Sequence, residues 1–141
     1  MSGIFLAIVI PVYNAEKFIP AALDSVLREE VSGLHLYLVD DGSKDGSLAI
    51  CREYAAHYPN ITVISQPNTG PSAARNAALA IAQEEYVTFL DADDEIEHGT
   101  FVKNLKWLTG HPDVDSLFYP IQSVHFDGSV TQKVAYTETA G

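Results

Sequence analysis

The chain has 141 residues, of which 47% are hydrophobic and 19% charged, and it carries a formal net charge of −11. That length suits one domain with its own core, and the composition excludes a disordered chain. With 8 Lys and Arg against 19 Asp and Glu, the basic surface that grips nucleic-acid phosphates is excluded as well.

The first apolar run, Ile4 to Val12, is rich in β-branched residues and apolar on both faces. It predicts a strand buried inside a parallel sheet. The run is about half a membrane span, and no basic segment or small-residue cleavage site marks it as a signal peptide. A cytoplasmic location is expected, with peripheral membrane attachment of a longer parent left open. Phe18, Ile19, Ala22, Leu23, Val26 and Leu27 follow at helical spacing, and the helix is expected to start near Pro20. Leu34 to Val39 predicts a second strand, closed by Asp40-Asp41-Gly42-Ser43. Leu48, Cys51, Tyr54, Ala55 and Tyr58 mark one face of a helix capped by Ser43 or Asp45. Cys51 is the lone cysteine, which excludes an internal disulfide or a multi-thiolate zinc site; it falls on the inward face and is read as core. Ile61 to Ser65 predicts a third strand, Asn68 to Pro71 a loop, and alanine-rich Ser72 to Gln83 a helix. Tyr86 to Leu90 predicts a fourth strand, stopped by Asp91-Ala92-Asp93-Asp94. A short helix follows with Phe101, Val102, Leu105 and Leu108 facing inward. Beyond it, Asp115 to Pro120 and Gln122 to Phe126 read as strands, with Asp127-Gly128 as a hairpin turn into Val130 to Tyr136.

The order βαβαβαβ implies an α/β domain with a mostly parallel, right-handed sheet flanked by helices, followed by antiparallel C-terminal strands. Ligands in such sheets bind outside the carboxyl ends of the strands. That rule selects Tyr13-Asn14, Asp40 to Asp45, Asn68 to Pro71 and Asp91 to Asp94. Three carboxylates within four residues repel one another unless a cation joins them, and hard oxygen ligands favour Mg²⁺, Mn²⁺ or Ca²⁺. The alternative is a solvated acidic loop that caps the next helix. One acid of the Asp40-Asp41 pair can fix the turn, while a second, facing the crevice, can accept an N–H from a ring such as uracil or guanine. Gly70 permits a tight turn before a helix N-terminus that favours phosphate, and Arg75 suits phosphate oxygens or an ion pair with an acidic loop. Tyr13 can stack on a base, or simply end a strand. The five histidines show no metal-ligand spacing; His98, near the acidic loop, is the one of interest. No P-loop and no GxGxxG motif is present.

Ile8 to Asn14, Val39 to Ser47, Asn68-Thr69-Gly70 with Ala74-Arg75-Asn76, and Phe89 to Asp94 together resemble glycosyltransferase family 2 in order and spacing, over residues 4 to about 110. The resemblance implies an inverting transferase of the GT-A fold, with a nucleotide-sugar donor (a UDP-sugar), Mn²⁺ or Mg²⁺, and a saccharide or lipid-linked acceptor. It places Pro11, Val12 and Tyr13 at the base, Asp41 as acceptor of the base N–H, and Asn68, Gly70 and Arg75 near the nucleotide and diphosphate. Asp91 falls near the ribose, Ala92 in the same binding loop, and Asp93, with Asp91, on the metal; Asp94 assists the metal or orders the loop. Family members carry a general base well beyond the acidic loop, and no segment before Gly141 matches it. The expectation is therefore one truncated domain, residues 1–141, that binds donor and is catalytically incomplete, its base lying beyond residue 141. Exposed Phe118, Tyr119, Phe126 and Tyr136 would then favour a homo-oligomer. Three rival readings are a non-catalytic nucleotide-sugar-binding module, a receiver-type phospho-acceptor domain and a phosphohydrolase. The receiver type needs its acid pair after the first strand, and the phosphohydrolase needs its D-x-D there, whereas here these follow the second and fourth.

Overall fold

The computed structural model describes residues 5–115, 121–124 and 130–133. The chain divides into two compact units, residues 1–102 and 103–141. In chain order the elements are β1 (Leu6–Val12), α1 (Ile19–Leu27), β2 (Leu34–Asp41), α2 (Ser47–His57), β3 (Ile61–Gln66), α3 (Pro71–Leu79), β4 (Tyr86–Phe89), α4 (Thr100–Thr109), β5 (Ile121–Val124) and β6 (Val130–Lys133).

Strands β1 to β4 form a parallel sheet in the order β3-β2-β1-β4. The apolar run of β1 lies at its centre, where Ala7, Ile8 and Val9 are fully buried, as a strand without a polar face requires. Right-handed crossovers put α1 and α2 on one face of the sheet and α3 on the other. On the α3 face, Ala7, Val9, Tyr37 and Val39 pack against Ala74 and Ala78, small side chains that let the helix lie close. Cys51 is fully buried, and burial, followed by the nearby Asp40 charge, pushes its thiol up to about 12, so it packs as a core side chain. In the second unit, β5 and β6 pair antiparallel, with Ile121 opposite Lys133. The segment 116–120, the Asp127-Gly128 turn, and the residues suspected of self-association (Phe118, Tyr119, Phe126 and Tyr136) lie outside the described residues. Among the described residues, no helix is long and apolar enough to cross a membrane.

Four local expectations change. Val102 is exposed, unlike its neighbour Phe101, because position 102 falls on the outer side of α4. Phe18 is 53% exposed and serves as the N-cap of α1, outside its inward stripe. Helix α3 runs from Pro71 to Leu79 and stops short of Gln83; beyond its last turn, Glu84 accepts the Tyr37 hydroxyl at 2.9 Å and the Gln83 N–H at 3.2 Å. The N-cap of α2 is Gly46, with Asp45 one residue earlier.

Register brings the carboxyl ends of the strands to one edge, where Val12 lies beside Asp40 and Asp41 beside Gln66. The loops that leave that edge are stapled together. Ser43 Oγ accepts the Asn14 N–H at 3.0 Å, and Asn14 Oδ1 accepts the Lys44 N–H at 2.7 Å. Ser47 Oγ, fully buried, accepts the Ala15 N–H at 2.9 Å and donates to Asp45 Oδ1 at 2.6 Å. Asp45 also accepts the Ser47 and Glu16 N–H groups. Burial works to raise the Asp45 carboxyl, but the Ser47 hydroxyl and these N–H donors outweigh it, and its pKa falls below the ordinary value. Ser47→Ala strands the Ala15 N–H and removes one Asp45 donor. It is expected to destabilise the chain by about 1–3 kcal/mol in urea titration at neutral pH.

Candidate functional site

At the carboxyl edge of the sheet the chain forms a cleft of ≈ 570 Å³. Its walls come from four places: Pro11, Val12 and Tyr13 at the end of β1; Asp41 at the end of β2; Asn68, Gly70 and Arg75 around the start of α3; and Asp91, Ala92 and Asp93 after β4. All ten residues singled out from the sequence thus share one cavity, since each follows a strand whose neighbours end at the same level. Asn14, Ala15, Phe18 and Pro71 line it as well. Phe18 escaped notice because its spacing matches the apolar stripe of α1, and only its exposure reveals it as a lip residue facing the same space as Tyr13, which is 46% exposed. Asn14 takes a left-handed φ of 47° and is held on both sides by the Ser43 and Lys44 bonds, which fixes the backbone beside Tyr13.

Asp41 is buried and its carboxylate is filled. Oδ1 accepts Gln66 Nε2 at 2.9 Å and the Thr69 N–H at 2.8 Å; Oδ2 accepts the Gly70 N–H at 2.9 Å and Asn68 Nδ2 at 3.2 Å. Burial pushes this acid up, but the Gln66 amide and the Thr69 and Gly70 N–H groups outweigh it and leave its pKa lowered. Asp41 therefore shapes the 66–70 loop from within. A base N–H reaches it only in place of the Gln66 or Asn68 side-chain amide, because the other two donors are backbone. Gly42 lets the loop come this close. Its φ is +75°, and a Cβ there would lie 2.7 Å from the Asn68 backbone N, whereas a Cβ on Gly70, at φ +109°, meets nothing within 4 Å.

The acidic loop forms the opposite wall. Asp91, Asp93 and Asp94 are exposed, and one carboxylate oxygen from each lies within 4.8 Å of the others. Octahedral Mg²⁺ with ligands at ~2.1 Å sets neighbouring oxygens ~3 Å apart, so the trio needs only small side-chain adjustment to hold such an ion. Asp94 has a raised pKa, from partial burial and then from the Asp93 and Asp91 charges. That repulsion is what a dication relieves, so these residues fit Mn²⁺ or Mg²⁺. Arg75 is the one cationic side chain among the lining residues. Its Nη2 lies 3.7 Å from Asp91 Oδ1 and its guanidinium 5.9 Å from the Phe89 ring centroid. The ion-pair alternative foreseen for Arg75 is therefore realised. His98 lies outside the cleft lining, with Nδ1 3.4 Å from Glu29 Oε2.

Asp41 gives two expected outcomes. Asp41→Asn turns an N–H donor toward other donors and should cost about 1–3 kcal/mol in urea titration at pH 7. Because the native pKa is lowered, the stabilisation is full above the ordinary carboxylate range and is lost as pH falls from about 3.9 through the native value. The gap between the two proteins should therefore close under acid. Gly42→Ala should destabilise by more than Gly70→Ala, as only the former also collides with backbone.

A family model for glycosyl transferase family 2 matches residues 7–137. The minor teichoic acid biosynthesis protein GgaB of Bacillus subtilis is 37% identical over 119 residues, covering 82% of this chain and 13% of that protein. Among solved structures, S. aureus TarS 1–349 in complex with UDP-GlcNAc superposes with a TM-score of 0.72 at 31% identity, covering 77% of this chain and 32% of that one. The mannosyltransferase PcManGT of Pyrobaculum calidifontis, in complex with GDP-Man and Mn²⁺, gives 0.71 at 28% identity, covering 81% and 34%. The chain thus spans about a third or less of each of these relatives. The parallel α/β sheet flanked by helices matches the GT-A fold of these neighbours, and with the family model matching nearly its whole length the chain belongs to glycosyl transferase family 2.

Proposed function

We propose that the cleft binds the nucleoside diphosphate of a nucleotide-sugar donor, a UDP-sugar, through Mn²⁺ or Mg²⁺ held by Asp93 and Asp91. The observation that carries this reading is the charge arrangement. A diphosphate entering the cleft meets Asp91 and Asp93 with Arg75 as the sole cationic lining side chain, itself 3.7 Å from Asp91. A bare diphosphate is repelled there, and a dication between the two sets of oxygens reverses the sign. Likeness to proteins solved with UDP-GlcNAc and with GDP-Man and Mn²⁺ supports the same reading.

In this reading Tyr13, with Pro11 and Val12, forms the wall on which the base stacks. Asn68 and Gly70 shape the edge of the base and ribose site, with Asp41 setting their backbone from below. Arg75 turns its guanidinium toward phosphate oxygens, a geometry that suits planar bidentate donors. Asp91 serves the ribose side of the ion and Ala92, buried between the two aspartates, keeps the loop seated. When bound, the dication supplies neutralisation of charge growing on the leaving nucleoside diphosphate. For the whole protein we propose transfer with inversion. An acceptor hydroxyl of a saccharide or lipid-linked acceptor attacks the anomeric carbon and gives its proton to a general base, the bond to the diphosphate oxygen breaks, and the nucleoside diphosphate leaves.

Calorimetric titration of UDP tests the donor site. Binding is expected with Mn²⁺, with loss in EDTA and in Asp93→Ala. Loss of one charged ligand should weaken the Mn²⁺-dependent affinity by roughly tenfold or more, as for other disturbed metal shells. Equal binding with and without metal would overturn the cation reading, and binding of GDP in preference to UDP would overturn the choice of base. Tyr13→Ala should weaken UDP by about 1–3 kcal/mol if the base stacks on the ring.

A further inference from the structure

The last turn of α1 faces the chain that follows the acidic loop. Ser25 Oγ accepts the Ile96 N–H at 2.9 Å and donates to Ala22 O at 2.7 Å. Arg28 Nη2 donates to Ile96 O at 2.8 Å. Glu29 is 2% exposed, and its two oxygens accept the Gly99 and Phe101 N–H groups, each at 2.8 Å. These two donors flank the start of α4, where first-turn N–H groups lack helical partners and the helix dipole favours an anion. Glu29 thus caps α4 from the turn that follows α1, some seventy residues away in sequence. On the other side, the Leu90 N–H donates to Val9 O at 3.0 Å, so the chain leaves the sheet at a fixed point. Only residues 91–95 run between these two anchors, closed by a turn from the Asp94 N–H to Asp91 O at 2.9 Å.

The carboxylates of Asp91, Asp93 and Asp94, bunched on four residues, repel, and a free loop would spread to separate them. The anchors deny it that freedom. We infer that Glu29, which touches neither the cleft nor any of the three aspartates through the bonds above, is a positioning residue for the cation site. It holds the exit of the acidic loop so that Asp91, Asp93 and Asp94 stay within one ion's reach before the ion arrives. The inference rests on the cation reading of that loop. Ser25 and Arg28 act on the same exit through Ile96.

The test is calorimetric titration of Mn²⁺ alone into the full chain. Glu29→Gln keeps size and one acceptor but turns an NH₂ group toward an N–H donor. It should weaken Mn²⁺ by roughly tenfold, the scale seen when groups that orient metal ligands are changed. Ser25→Ala, which removes one anchor and little volume, should weaken it in the same direction by less. Val26→Ala truncates a core side chain in the same turn without touching these bonds, and should leave the Mn²⁺ affinity unchanged even where its Tm falls as far as that of Glu29→Gln. Amide hydrogen exchange without metal gives a second readout, in which Glu29→Gln should expose Gly99 and Phe101 and also Asp94, whose N–H has no bond to Glu29. An Mn²⁺ affinity that Glu29→Gln and Ser25→Ala leave intact, or that Val26→Ala lowers equally, overturns the inference while the cation site stands. Absence of Mn²⁺ binding by the unaltered chain removes the cation site and the inference together.

Discussion

A carboxylate taken out of water must find donors, and Asp41 finds four of them, all between Gln66 at the end of β3 and Gly70. That requirement ties the carboxyl end of β2 to the chain between β3 and α3. It sets where Gly70 turns, and so where α3 begins and which way Arg75 points. The close approach depends in turn on Gly42, whose missing Cβ leaves room for the Asn68 backbone. Between β2 and α2, Asp45 and Ser47 perform a related service for the loop after β1. The β1–β2 side of the cleft is thus shaped by acids whose oxygens are filled by backbone and side-chain donors.

The acidic loop follows the opposite logic. Asp91, Asp93 and Asp94 are exposed and point their charge outward. Among the described lining residues the one opposing charge is Arg75, at a distance longer than a hydrogen bond. One site therefore contains both uses of a carboxylate: buried and saturated where it builds structure, exposed and under-compensated where it awaits a partner. The pKa directions agree, lowered at Asp41 and Asp45 by donated hydrogen bonds and raised at Asp94 by burial and its like-charged neighbours.

The parallel sheet was legible because its central strands β1 and β2 are buried on both faces and so read as apolar runs, as in Ile8-Val9-Ile10. The ten cleft residues were legible because a parallel sheet puts every strand end on one edge, so loops far apart in sequence share one cavity. What stayed hidden depended on partners the pattern does not encode. Glu29 carries no apolar signal in the sequence, yet it is buried against backbone N–H groups of residues 99 and 101. Phe18 fits the inward stripe by spacing and lies outside it only because the helix begins there. The filled state of Asp41 escaped for the same reason as Glu29: two of its four donors are main-chain groups, which carry no side-chain signature. Val102 shows the limit of periodicity at a helix start, where a run of two apolar residues leaves the choice of inward face open.

Helix α1 links these two halves of the cleft. Its nine residues span roughly 14 Å at 1.5 Å per residue. Phe18, at its amino end, lines the cleft near Tyr13; Ser25, Arg28 and Glu29, at its carboxyl end, hold the exit of the acidic loop. Between those ends Ile19, Ala22, Leu23 and Val26 are buried, so the helix cannot shift without opening the core. Both walls are therefore referenced to the same packed helix as well as to β1. The nucleotide donor proposed above is a ligand of fixed length between base and diphosphate, and in that reading the two walls must keep their spacing. A short, well-packed helix joined to both is the simplest means of keeping it, which is why a buried glutamate with no place in the cleft bears on what the cleft can hold.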